Sequence, residues 1–103
     1  METKNLSLPK LDQLSPSLES TALKLMEEAG ELAQLIGKFR GLSGEKLVHP
    51  EQELAEAIAK ELLDVAQTAV TMMFVMEDKY RINIEDMLKQ HVAKLREKGY
   101  LKN

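Results

Sequence analysis

Apolar residues return every three or four positions along almost the whole chain, and only a few glycines and prolines interrupt them. That period is the mark of amphipathic helix, and five Gly and three Pro in 103 residues leave long stretches unbroken. Leu18, Ala22, Leu25, Ala29, Leu32, Ala33 and Ile36 form a first stripe. Ser15 with Pro16 behind it supplies an N-cap and a proline at the first helical position, so a long helix is predicted from there to Phe39 or Arg40. Residues 41–50, GLSGEKLVHP, carry the glycines and proline of a connecting loop. Pro50 suits the next helix start, with Glu51 and Glu53 at the positive end of its dipole. Leu54, Ile58, Leu62, Val65, Ala69, Met72 and Met76 continue that stripe to about Lys79. Asn83 is a good N-cap for a third helix, with Met87, Leu88, Val92 and Leu95 as its apolar face and Gly99 as its stop.

Residues 1–16 mix leucines with polar residues and two prolines, which reads as an irregular or short helical arm ahead of a folded domain spanning 17–103. The expected fold class is all-α, a helical bundle of about three main helices per chain. Leu, Met and Ala occur on more than one side of the second helix, so the bundle is expected to be completed by oligomerisation, as a homodimer or homotetramer. Met72, Met73 and Met76 suit adaptable packing at a helix interface. Gly30 weakens a helix by about 1 kcal/mol relative to Ala, which suggests that another helix approaches closely there.

Fourteen basic and seventeen acidic residues give a formal charge of −3, without the broad basic surface that nucleic-acid binding needs. Nucleic acid is therefore not an expected partner. The chain has no Cys, which removes disulfides and thiolate metal ligands, and its start lacks a signal-peptide pattern, making the cytoplasm the default compartment. No apolar run approaches the roughly 20 residues of a membrane span. The longest, 69–76, is broken by Thr71 and reads as buried core, so no membrane is expected as a partner.

The residues with chemistry to offer are Glu27, Glu28 and Glu31 in LMEEAGEL on the first helix, and Glu61 and Asp64 in KELLDVA on the second. Positions i and i+3 share a helix face, so Glu28 with Glu31, and Glu61 with Asp64, can each converge on one ion. By helical phase, Glu28 and Glu61 fall beside the apolar stripes, at the edge of the helix interface. Like charges in a partly desolvated place repel strongly, and a bound cation would relieve them. Acidic pairs on helices are usually just a solvated face. Here, however, none of the five acids has a basic residue three or four positions downstream, and both clusters sit inside long apolar segments. An all-oxygen donor set selects hard ions, so Mg²⁺ is expected, with Mn²⁺ as a substitute.

The pattern EExxE on one helix and ExxD on the next resembles that of MazG-like nucleotide pyrophosphohydrolases of the all-α NTP pyrophosphatase superfamily. The contexts EEAGEL and KELLDV and the ending NIEDML…HVAKLREKGYL are similar to the family's, over about residues 18–101. The resemblance implies that Glu28, Glu31, Glu61 and Asp64 are metal ligands. It gives Glu27, together with Glu28, a catalytic place, as an additional ligand or a base orienting water. It further implies that Lys94 approaches the substrate phosphates, with Lys98 standing where the family commonly has an arginine. The implied reaction is cleavage of a nucleoside triphosphate between its α and β phosphates by metal-activated water, giving the monophosphate and pyrophosphate.

His91, one turn from Lys94, and Tyr100, beside basic residues, join Lys94 and Lys98 as candidate substrate contacts. His49 is a weaker candidate for acid or base chemistry. Two other readings stand beside this one: hydrolysis of another pyrophosphate metabolite, such as phosphoribosyl-ATP, and a non-enzymatic dimerisation or adaptor module whose acids are only surface charge.

Overall fold

The computed structural model describes residues 1–41 and 51–102. Three helices follow one another, α1 (Leu18–Phe39), α2 (Glu51–Tyr80) and α3 (Ile84–Glu97), and no strand occurs among the described residues. The fold is all-α, as the periodicity predicts. Most of the expected 41–50 loop, including His49 and the Pro50 helix start, lies outside the described residues.

α1 starts two residues later than the Ser15–Pro16 pair suggests. Ser17 is its N-cap, accepting from the Ser20 N–H at 3.0 Å while its own N–H donates to Ser20 Oγ at 2.9 Å. That reciprocal capping box satisfies two donors at once. A cap at Ser15 would have Leu18 in the answering position, and leucine cannot return a bond. Thr21 adds a hydrogen bond from its hydroxyl to Ser17 O at 2.8 Å.

α1 and α2 are the pair that packs together. Their buried and half-buried residues follow a seven-residue repeat: Thr21, Glu28 and Leu35 on α1, and Leu54, Glu61, Thr68 and Val75 on α2. Leu18, Leu25, Leu32 and Phe39 interleave on α1, as do Ile58, Val65 and Met72 on α2. This is the seam of a coiled coil. The two helices run antiparallel, because Glu28 meets Glu61 while Thr21, seven residues earlier, shares a cavity with Thr68 and Thr71. Ala29, Ala33 and Ile36, placed on the apolar stripe by a strict helical period, are exposed instead.

The N-terminal arm is irregular through Pro16 and lies along α2. Lys10 Nζ pairs with Asp78 at 2.7 Å and stands 5.4 Å from the Phe74 ring centroid, and the Gln67 side-chain amide donates to Pro9 O at 2.9 Å. α2 ends at Tyr80, one residue past the expected Lys79, and Arg81 turns the chain in the left-handed region at φ 55°. Asn83 caps α3 as expected, accepting from the Asp86 N–H at 3.0 Å. α3 buries none of its residues and has no packing against the other helices comparable to that of α1 with α2.

Around Gly30 there is open space, with nothing within 4 Å of where a Cβ would stand. The close helix approach expected at this glycine does not occur among the described residues. Among the described residues, no helix is long and apolar enough to cross a membrane.

Candidate metal centre

Two turns of seam bring the acids together. Glu28 occupies a core position of α1 and is only 6% exposed, although helical phase suggests a place at the interface edge. The seven-residue spacing from Thr21 to Glu28 to Leu35 is the sequence signal that distinguishes the two. Glu61 holds the matching position on α2 between Leu54 and Thr68. Glu31 stands one turn beyond Glu28, near the solvent. One carboxylate oxygen from each of Glu28, Glu31 and Glu61 lies within 4.8 Å of the others.

The electrostatics of this trio are lopsided. Lys24, one turn before Glu28, places its ammonium 3.0 Å from Glu28 Oε1, and 4.0 Å from exposed Glu27. Glu28 is held below the ordinary carboxylate range, first by the proton that neighbouring Glu61 can offer it and then by Lys24. Lys24 is correspondingly raised, chiefly by its bond to Glu28. Glu61 is pushed up to about 7, because its proton is drawn to Glu28, because it is desolvated, and because the charges of Glu28, Glu31 and Asp64 surround it. Upstream lysine pairing, the weaker helical arrangement, therefore stabilises Glu28, while no ion pair to Glu61 occurs among the described residues.

Glu61 Oε1 is buried and meets no N–H or hydroxyl donor among the described residues, so a proton shared with Glu28 is what relieves this carboxyl. A buried carboxylate oxygen without a donor is costly once ionised, and a hard divalent cation held by the three grouped carboxylates would relieve it. The donor set is all oxygen and fits such an ion.

Of the other expected site residues, Asp64 is exposed and outside the trio but lines a cavity with Glu28. Glu27 is exposed and also outside the trio. Lys94, Lys98, His91 and Tyr100 are exposed on or just after α3, and none of them lines the cavity beside the acids. That cavity, of about 440 Å³, is bounded instead by residues with no motif to mark them, among them Thr21, Lys24, Gln67 and Thr68.

An antiparallel helix pair whose seam closes on three carboxylates defines an all-α protein with a built-in candidate cation site. The family model for the MazG nucleotide pyrophosphohydrolase domain matches residues 16–99, and the chain belongs to that family. No curated protein and no solved structure matches the chain.

Proposed function

We propose that the chain hydrolyses nucleoside triphosphates, ribo or deoxy, between the α and β phosphates, releasing the monophosphate and pyrophosphate, with Mg²⁺ as its metal and Mn²⁺ as a substitute. The observation that carries this reading is the convergence of one carboxylate oxygen from each of Glu28, Glu31 and Glu61, in a trio that includes a buried oxygen of Glu61 with no N–H or hydroxyl donor among the described residues. Acids so arranged would repel a triphosphate by themselves.

Glu28, Glu31 and Glu61 would hold the ion, with Asp64 flanking them on the cavity side. When bound, Mg²⁺ supplies positive charge to the phosphates and acidifies water enough for attack near neutral pH. Lys24 keeps Glu28 ionised. Glu61 gives up its proton when the site fills, and Glu27, exposed next to Glu28, is available to orient water. The substrate-contact role proposed for Lys94, Lys98, His91 and Tyr100 calls for an assembly in which α3 of a neighbouring copy meets the acidic face.

The test is incubation with Mg²⁺ and a panel of NTPs and dNTPs, following both pyrophosphate and monophosphate, with phosphoribosyl-ATP alongside. Matched release of the two products from a nucleoside triphosphate supports the reading. Silence across the panel, or release of orthophosphate alone, sinks it.

A further inference from the structure

The cavity beside the acids has one wall that precedes the region matched to the family. Its volume, about 440 Å³, falls in the usual range for small-molecule sites. Glu28 and Asp64 line it, which makes it continuous with the candidate metal centre. Across from the two helices its wall is the N-terminal arm, with Leu11 and Leu14 as the aliphatic surface. The family match begins only at residue 16.

Two contacts hold the arm there, Lys10 to Asp78 at 2.7 Å and the Gln67 amide to Pro9 O at 2.9 Å. The second also fixes the Gln67 side chain, since only its NH₂ can face a carbonyl oxygen. The same NH₂ reaches Thr71 Oγ1 at 3.2 Å. With its donors committed, Gln67 presents Oε1 as an acceptor. Thr21 and Thr68 have likewise spent their hydroxyl protons on Ser17 O at 2.8 Å and Asp64 O at 3.0 Å. Ser20, Thr21, Gln67 and Thr68 thus leave acceptors beside an aliphatic wall, while the hydroxyls of Ser15 and Thr71 keep protons to donate. A flat apolar ring with a donor on its edge complements such a cavity.

We propose that Leu11, Leu14 and Gln67 form the nucleobase subsite, and that Gln67 Oε1 favours a base with an exocyclic amino group, cytosine over uracil. The inference rests on the hydrolase reading and deepens it. Leu11 and Leu14 sandwich the ring against α2, and Gln67 accepts from the amino group. Uracil would set a carbonyl against that acceptor, a mismatch that lowers affinity.

The experiment is calorimetric binding, in the presence of Mg²⁺, of non-hydrolysable α,β-methylene analogues of dCTP and dUTP and of inorganic tripolyphosphate. Full-length wild type is compared with the Leu11→Ala/Leu14→Ala double variant. Leu14 is 65% exposed, so truncation there spares the helix seam, and Leu6→Ala, at an exposed arm leucine that does not line the cavity, serves as a control. The expected result is about tenfold weaker binding of the dUTP analogue than of the dCTP analogue by wild type. The double variant should lose about tenfold for the dCTP analogue while binding tripolyphosphate as wild type does, and Leu6→Ala should retain wild-type affinity. Unchanged nucleotide affinity in the double variant, or equal affinity for the two analogues, overturns the inference and leaves the hydrolase reading intact. A wild type that binds tripolyphosphate as tightly as nucleotide also overturns it. If wild type binds neither nucleotide nor tripolyphosphate, the hydrolase reading fails first and the subsite with it.

Discussion

Glu61 is the residue on which the proposed metal site turns, because its carboxyl is pushed up to about 7 and a bound cation would displace the proton it holds below that value. Metal uptake should therefore release protons at pH values below about 7 and tighten as pH rises through that value. Calorimetry in buffers of different ionisation enthalpy measures the release; none at pH 6 would contradict it. In the metal-free protein the sign for stability is opposite. The raised Glu61 contributes stability that is fully present below its ordinary value of 4.5 and is lost as pH rises through about 7. Glu28, held low, contributes above 4.5 and loses its contribution as pH falls through its folded value. A second prediction belongs to Gly30, which has open space around it. Gly30→Ala should raise stability by about 0.5–1 kcal/mol in a denaturant titration, and a loss would point to a close neighbour from another chain. The acids themselves were legible in EExxE and ExxD, but their placement was not. A strict helical period puts Glu28 beside the stripe, whereas supercoiling of the pair toward a seven-residue repeat draws it into the seam.

At the level of elements, the helices are set by local signals that a sequence carries openly, and their ends by hydrogen bonds that it carries less openly. Asn83 and Gly99 mark the limits of α3 as expected. Gly99 sits at φ 82° in a Schellman arrangement, with its own N–H on Arg96 O and the Tyr100 N–H on Leu95 O, both at 2.9 Å. Gly99→Ala should cost about 1 kcal/mol, read as faster amide exchange over the last turn of α3 with α1 and α2 unaffected; unchanged exchange there would contradict it. The start of α1 was harder to read. Ser15–Pro16 and Ser17 both offer caps, and the choice falls to Ser17 because Ser20 can answer it. The arm illustrates the limit of local signals, since its course depends on Lys10 and Pro9 meeting residues 68 and 58 positions away.

The molecule as a whole is more spread out than its length requires, with a radius of gyration of 16.9 Å against about 13 Å for a compact chain of this size. Its core is thin: Leu54 and Val75 are the buried apolar residues among those described, while Leu23, Met26, Leu62, Leu63, Met73 and Leu88 are exposed. Such faces favour self-association, so sedimentation velocity should return a dimer or tetramer rather than the 11.6 kDa monomer; a monomer at micromolar concentration would contradict this. The expectation of oligomerisation rests in the sequence on the several apolar sides of α2, whereas which faces would meet depends on surface shape that no periodicity encodes. What the whole architecture converges on is one small volume between α1 and α2. Calorimetric titration of Mn²⁺ and Mg²⁺ into the wild type and into Glu28→Gln and Glu61→Gln tests it most directly. Saturable uptake by the wild type, weakened at least about tenfold in each variant, is the predicted result; no saturable uptake, or equal uptake by all three proteins, would contradict it.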